Sequence, residues 1–290
     1  MTTPQPGPLG PAGPLPPGPP GPSGPNAGDR DVAILGEPAR SGLVPAHGQE
    51  GKGVVHLVHL YPREMSIYGD LGNTRCLAAR VRRHGYVPVV SQHHPGAPFP
   101  ERAHLVVGGG GQDSGQARVE ADLEAVGGRL HELAGAGVPM LMICGMYQLF
   151  GNAFVTVGGE SLPGLGILDV TTRGNATRMI GPVVLRTAYG DVVGYENHSG
   201  ATVLGPGQAP FGEVVVGHGN NGEDRTEGAR TNHVFGTYLH GPLLPANPAF
   251  ADALIGRAVE VATGRPFEPE PLDDRTAEQA RSRQVRRLVS

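Results

Sequence analysis

The chain has 290 residues, including 47 glycines and 29 prolines, and a formal net charge of −4. This length accommodates one large domain or two small ones, and an acidic balance without a long basic run argues against a nucleic-acid partner. Two cysteines are too few for a disulfide framework or a four-thiolate zinc site, which favours a reducing compartment.

Proline and glycine dominate residues 1–52, and this composition predicts a disordered, polyproline-type extension. The extension ends at Gly51-Lys52-Gly53, but a phosphate loop would need glycine at 46 and serine or threonine at 53, where the chain has Ala46 and Gly53. We therefore expect no ATP site here. No basic N-terminal region precedes an apolar run and no long apolar stretch occurs, so we expect a soluble, cytoplasmic protein without membrane insertion.

Strand and helix patterns alternate from Val54 onward, which is typical of a mainly parallel sheet covered by helices. We predict strands at 54–61, 87–90, 105–107 and 138–143, a turn at 68–73, and helices at 74–84 and 116–136. Short strands joined by glycine turns are indicated over 150–240, and helices over 246–262 and 272–288. These patterns predict an α/β domain over 53–265 and a C-terminal helical tail over 266–290.

A candidate nucleophile stands at the end of the buried strand predicted over 138–143. Cys144 follows that strand directly and precedes Gly145, where a helical pattern begins. A sharp strand-to-helix turn holds a side chain clear of the sheet at the positive end of a helix dipole. The N–H of Gly145 would then face the oxyanion of an acyl-transfer reaction. The alternative is a buried structural cysteine, which is also our interpretation of Cys76.

A run of four glycines, Gly108 to Gly111, ends another predicted strand. It therefore lies at the same carboxyl edge of the sheet as Cys144, where open α/β sheets bind ligands. Gly109 and Gly110 are candidates for the second oxyanion donor. The competing interpretations are a simple turn and a dinucleotide fingerprint, which would require glycine at the position of Asp113.

His240 closes a short strand pattern and is the candidate base. A cysteine nucleophile needs a group that takes its proton and returns it to the leaving amine. The chain has 12 histidines, so His198 and His218 are alternatives. Two closely spaced histidine pairs lack the third ligand of a metal site, and we expect no metal; these pairs are His56/His59 and His93/His94.

In chain order, these motifs resemble the class I glutamine amidotransferases of the cobyric-acid-synthase-like branch, and within it the GatD-type glutaminases of lipid II isoglutaminyl synthase. The similarity covers about residues 54–270 and rests on six segments: Tyr68–Asn73, Gly108–Asp113, Cys144–Gly151, Arg178–Gly181, Gly194–His198 and His240–Pro242. The resemblance implies the class I amidotransferase (flavodoxin-like) fold, with a central, mainly parallel sheet and a catalytic cysteine at its carboxyl edge.

The resemblance also implies the roles of three residues in hydrolysis of the L-glutamine side-chain amide. Cys144 would be the nucleophile and His240 the base, and the forked guanidinium of Arg178 would bind a substrate carboxylate. Without the resemblance, Arg178 would be interpreted as part of a surface salt bridge.

A partner follows from the same resemblance. The ammonia would pass to a separate Mur-ligase-like synthetase subunit that amidates the D-glutamate of lipid II to D-isoglutamine in peptidoglycan synthesis. ATP and Mg are expected in that partner, and no cofactor is expected in this chain. The alternatives are another acceptor, such as a corrinoid carboxylate, and a non-enzymatic scaffold with a decayed site.

Two positions depart from the pattern of the family. Met146 stands where a second glycine is common, which would narrow the site. Many relatives place glutamate two residues after the histidine, where this chain has Pro242, so the usual third triad member is missing. We expect the partner to donate a carboxylate to His240. The alternative is an acidic residue from elsewhere in this chain, with Glu196 the nearest motif candidate.

Overall fold

The central feature of the fold is a six-stranded, mainly parallel sheet in the order β11-β12-β4-β3-β1-β2. The computed structural model describes residues 51–111 and 113–290, so the extension predicted over 1–52 lies almost entirely outside the described residues. Only the edge strand β11 runs antiparallel within this sheet. The strands are β1 (Val54–Leu60), β2 (Val87–His93), β3 (Leu105–Gly108), β4 (Met140–Ile143), β11 (Ala229–Thr231) and β12 (Val234–Thr237). The predicted α/β fold is confirmed.

Helices pack around this sheet in two groups. Helix α1 contacts α4 and α5, whereas α2 contacts α3. The central strands β3 and β4 are buried along their whole length, as expected for parallel strands covered on both faces. The helices are α1 (Leu71–Arg83), α2 (Asp113–Gly135), α3 (Gly145–Phe150), α4 (Leu243–Ala246), α5 (Pro248–Thr263) and α6 (Arg275–Val289). Within the described ranges, none of them is long and apolar enough to cross a membrane.

A second sheet is formed by strands that follow α3 in the chain. The sequence indicated this region only as a β-rich stretch. Its long hairpin of β7 and β8 is antiparallel, and β8 also pairs with the short strand β13. The strands are β5 (Ala153–Val155), β6 (Ser161–Pro163), β7 (Val170–Thr187), β8 (Gly190–Leu204), β9 (Gly212–Val216), β10 (Thr226–Glu227) and β13 (Leu239–His240). Because β12 belongs to the first sheet and β13 to the second, the chain crosses between the sheets at Tyr238.

Several element boundaries differ from their sequence predictions, and the clearest cases are α1 and β2. Helix α1 begins at Leu71 rather than at 74, and the predicted turn shrinks to a 3₁₀ turn over Ile67–Gly69. Strand β2 continues to His93 because β1 offers a partner at every position up to that residue. Pairing with a neighbouring strand thus extends β2 through polar residues that carry no strand signal.

Candidate active site

Cys144 occupies the predicted sharp turn between β4 and α3. Its φ of 51° lies in the left-handed region, which a residue with a side chain adopts only under constraint. Two hydrogen bonds hold this backbone: the Cys144 N–H donates to the carbonyl of Thr237 at 2.8 Å, and the N–H of Gln148 donates to the carbonyl of Cys144 at 3.1 Å. The residue is 6% exposed. This geometry is that of a nucleophile elbow.

The glycine run, Cys144 and His240 converge at one edge of the central sheet. A Cβ at position 110 would lie 2.8 Å from Cε1 of His240 and 3.2 Å from Cβ of Cys144. Glycine at 110 therefore permits a close approach of three segments that are distant in sequence.

The carboxylate that holds His240 comes from this chain, at Asp70. Oδ1 of Asp70 lies 3.1 Å from Nδ1 of His240, and both side chains are buried. Glu196, the internal alternative to the expected partner carboxylate, lies elsewhere: its carboxylate accepts hydrogen bonds from the backbone and ring of His218, each at 2.8 Å. Because Nδ1 already has an internal partner, the geometry does not require a carboxylate from another subunit. Asp70 was missed because its motif, Tyr68–Asn73, suggested only a turn.

The environment of His240 favours its protonated form. Burial lowers its pKa, but the hydrogen bond with Asp70 and the neighbouring side chain of Cys144 outweigh this and raise the pKa to about 10. The ring of Tyr68 packs edge-on against the imidazole, with centroids 4.9 Å apart. Among the described residues, Nε2 of His240 has no hydrogen-bond partner, so this nitrogen is available for proton transfer. A protonated imidazole beside a thiol can supply a proton to a leaving amine.

The three glycines that the sequence predicts as oxyanion donors have different surroundings in the structure. Gly145 is the first residue of α3, so its N–H has no acceptor within the helix. The N–H of Gly110 donates to Oδ2 of Asp70 at 2.6 Å, and it becomes available only when that bond breaks. Gly109 packs against Asp70, where a Cβ would lie 3.0 Å from the Asp70 Cβ. Donation by Gly109 and Gly145 stays a prediction.

Arg178 lies on β7 and is bonded to the neighbouring strand. Its guanidinium donates to Oδ1 of Asn197 at 2.7 Å and 3.1 Å. Asn197 stands two residues after Tyr195, which pairs with His240 across β8 and β13. Arg178 is therefore on the same sheet as the candidate base, and its binding of substrate stays a prediction.

The alternative histidines have other partners. His198 stacks on Tyr238 with centroids 3.6 Å apart, and His218 bonds to Glu196. Met146 is fully buried and packs against Gly108, where a Cβ would lie 2.9 Å from Cγ of Met146. Across the ranges that the structure describes, no three His, Cys, Asp or Glu side chains are grouped to hold a metal ion.

Comparisons with known proteins agree with this geometry. Residues 56–248 match the family of CobB/CobQ-like glutamine amidotransferase domains. The chain is 36% identical to the Staphylococcus aureus (strain N315) lipid II isoglutaminyl synthase (glutamine-hydrolyzing) subunit GatD, over 78% of this chain and 92% of that relative. It is 34% identical to the Streptococcus pneumoniae (strain ATCC BAA-255 / R6) protein of the same name, over 76% and 86%.

One solved structure gives the same result for the fold. A crystal structure of a glutamine amidotransferase superposes with a TM-score of 0.50 at 15% identity, covering 69% of this chain and 98% of that one.

Proposed function

The chain belongs to the CobB/CobQ-like glutamine amidotransferase family, and from this premise we propose that it is the glutaminase subunit of a lipid II isoglutaminyl synthase. The observation that carries the proposal is the pairing of an elbow cysteine, Cys144, with the buried His240–Asp70 pair. The family hydrolyses glutamine, and relatives bearing the name of this subunit align over most of their own length.

The catalytic residues act in sequence. His240 holds the proton of the Cys144 thiol, so Sγ attacks the amide carbon of the glutamine side chain as a thiolate, and the carbonyl oxygen becomes an oxyanion beside the N–H of Gly145. Protonated His240 gives its proton to the departing nitrogen, so ammonia leaves and a thioester remains on Cys144. Water then gives a proton to the neutral His240 and attacks the thioester, which releases glutamate and restores the pair.

The ammonia serves an ATP-dependent, Mur-ligase-like synthetase in a heterodimer with this chain. Amidation of a carboxylate needs activation by ATP, and the sequence offers no phosphate loop for it, so ATP and Mg belong to the partner. The acceptor is the D-glutamate of lipid II, which becomes D-isoglutamine. With this acceptor, the proposed protein acts in the cytoplasm in peptidoglycan synthesis and contributes to cell wall biogenesis and cell shape.

The test reconstitutes the reaction. The chain is combined with the synthetase, ATP, Mg²⁺, lipid II and either L-glutamine or ammonium chloride, and amidation is followed by mass spectrometry of the muramyl peptide. We expect amidation with both nitrogen sources in the complex, and with ammonium alone when this chain is omitted. Glutamine hydrolysis without lipid II amidation would assign the ammonia to another acceptor, such as a corrinoid carboxylate. The absence of glutamine hydrolysis would refute the enzymatic function.

A further inference from the structure

The chain between β1 and α1, residues 61–70, lies across the carboxyl edge of the central sheet, and we name it the cover segment. The N–H of Ile67 donates to the carbonyl of Gly110 at 3.1 Å. The ring of Tyr68 packs on His240 and is 49% exposed. The cover segment therefore touches both the glycine run and the candidate base.

The same segment also covers the start of α3. Met65 is fully buried, and a Cβ at position 145 would lie 2.8 Å from its methyl carbon. The thioether of Met65 also packs against Gly111. The cover segment thus packs closely against the Cα of Gly145 at the start of α3.

Asp70 ends the cover segment and makes two hydrogen bonds at the catalytic edge. It is the N-cap residue of α1, yet its side chain makes no capping bond to the helix. Instead, Oδ1 contacts Nδ1 of His240 at 3.1 Å and Oδ2 accepts the N–H of Gly110 at 2.6 Å. A fully buried carboxylate is tolerated only when its oxygens are bonded, so both contacts help to hold the segment in place.

These two contacts have opposite consequences for catalysis. The bond to Nδ1 fixes the orientation of the imidazole, which favours proton transfer at Nε2. The bond from Gly110 removes a backbone donor from the edge where a carbonyl oxygen becomes negative. One N–H cannot serve both a carboxylate and an oxyanion.

We propose that Asp70 is a positioning residue that orients His240 and, in the free chain, also closes the oxyanion site by occupying the N–H of Gly110. During the reaction the Gly110 N–H passes from Asp70 to the carbonyl oxygen of the substrate, while Asp70 keeps its contact with His240. This transfer of the Gly110 N–H to the substrate rests on the proposed hydrolysis of glutamine.

The test follows the Gly110 amide and the His240 ring by NMR in the full-length chain, free and after reaction with 6-diazo-5-oxo-L-norleucine, a diazoketone analogue of glutamine. In that reaction the diazo carbon takes a proton and the Cys144 thiolate displaces N₂, leaving a thioether and an intact ketone. We expect the Gly110 amide signal to move when the adduct forms. This measurement on the natural chain remains decisive if a variant fails to fold.

A variant of Asp70 then tests which group accepts the hydrogen bond from the Gly110 N–H. Asp70→Asn is expected to shift the Gly110 amide in the free chain and not in the adduct, to lower the pKa of His240, and to reduce kcat for glutamine by about 10³- to 10⁴-fold. Asp191→Asn, an exposed change on β8, is the matched control. It should leave the Gly110 amide signal, the pKa of His240 and kcat unchanged.

Two results would overturn the inference. A Gly110 amide that still responds to Asp70→Asn in the adduct would show that the donor is never released. An unchanged His240 pKa and pH profile in Asp70→Asn would show that Asp70 does not orient the base. A chain that does not hydrolyse glutamine would refute the proposed function, while the free-chain measurements on Gly110 and His240 would still decide the role of Asp70.

Discussion

The backbone of Cys144 carries a local conformational cost. Its left-handed φ is held by the fixed ends of β12 and α3, through the carbonyl of Thr237 and the N–H of Gln148. The turn brings the thiol to the N-terminus of α3, beside His240. Cys76, by contrast, lies half-buried in α1, where burial raises its pKa to about 11.

Replacement of the two cysteines should separate these roles. Cys144→Ala is expected to reduce glutamine hydrolysis by at least about 10³-fold, since removal of a residue that acts in a catalytic unit has effects of this size. Amidation with ammonium chloride in the complex should persist. Cys76→Ala is the control and should retain hydrolysis. Normal turnover in Cys144→Ala would exclude it as the nucleophile.

Arg178 is expected to bind the carboxylate of glutamine. Loss of a charge-assisted hydrogen bond predicts that Arg178→Ala raises KM for glutamine by roughly 10- to 100-fold. Steady-state kinetics on the complex measure this value, and ammonium-dependent amidation should not change. Arg173→Ala, another exposed arginine of β7, is the matched control. A normal KM in Arg178→Ala would make the bond to Asn197 its only role.

The raised pKa of His240 predicts a dependence of stability on pH. The folded-state pKa of about 10 exceeds the ordinary histidine value of about 6.5. Its contribution to stability is therefore fully present below pH about 6.5 and is lost as pH rises to about 10. We expect the free energy of unfolding, measured in urea across this range, to fall more steeply in the natural chain than in His240→Gln. Equal slopes would argue against a charged, bonded His240.

At the level of secondary structure, the candidate site lies where the ends of several strands and helices meet. Strands β3 and β4, the start of α1 and the short strand β13 each contribute one part, and glycine at 110 leaves room for the others. Parallel strands bring their carboxyl ends to one edge, which is why residues far apart in the chain meet there.

Two glycine substitutions test this crowding. Gly110→Ala places a methyl 2.8 Å from the His240 ring, and displacement of the base is expected to lower kcat by at least about 10²-fold. Gly128→Ala in α2 meets open space and should stabilise the fold by about 0.5–1 kcal/mol. Kinetics and urea unfolding of both variants provide the comparison. Full activity in Gly110→Ala would contradict the close packing of the site.

On the scale of the whole molecule, the start of the described chain and helix α1 both contact the segment between α5 and α6. The ammonium of Lys52 contacts the carboxylate of Glu270 at 2.6 Å, and Phe267 packs against His84 with ring centroids 5.1 Å apart. Arg80 of α1 bonds to Asp274, which precedes α6. Residues 266–274 of the predicted C-terminal tail are therefore attached to the domain.

A shortened chain tests the predicted extension. Residues 1–52 offer little apolar surface to offset the entropy of ordering, so a chain that begins at Gly51 should fold and keep its glutaminase activity. It also keeps Lys52 and its contact with Glu270. Thermal unfolding and glutamate release, compared with the full chain, are the measurements. A clear loss of either would assign the extension a role in folding or catalysis.

The sequence alone determined those parts of the site that depend on local patterns. Cys144, Gly145 and the glycine run were found because a buried strand followed by a tight turn has a short-range signature. The alternation of strand and helix patterns indicated the α/β fold, and the order of several motifs carried the resemblance to the glutaminase family. The strands of the second sheet were harder to predict from sequence, because these short, glycine-rich segments depend on pairing with partners that are distant in the chain.

Only the tertiary structure decided which carboxylate meets His240. The chain has 27 acidic residues, and sequence motifs favoured Glu196 or a partner. Asp70 lies 170 positions from His240 and reaches it because the start of α1 packs against Pro242 and α4, which directly follow β13. The same packing places its second oxygen on the Gly110 N–H. A hydrogen bond between distant segments depends on distances of a few tenths of an ångström, which strand and helix periodicity does not encode.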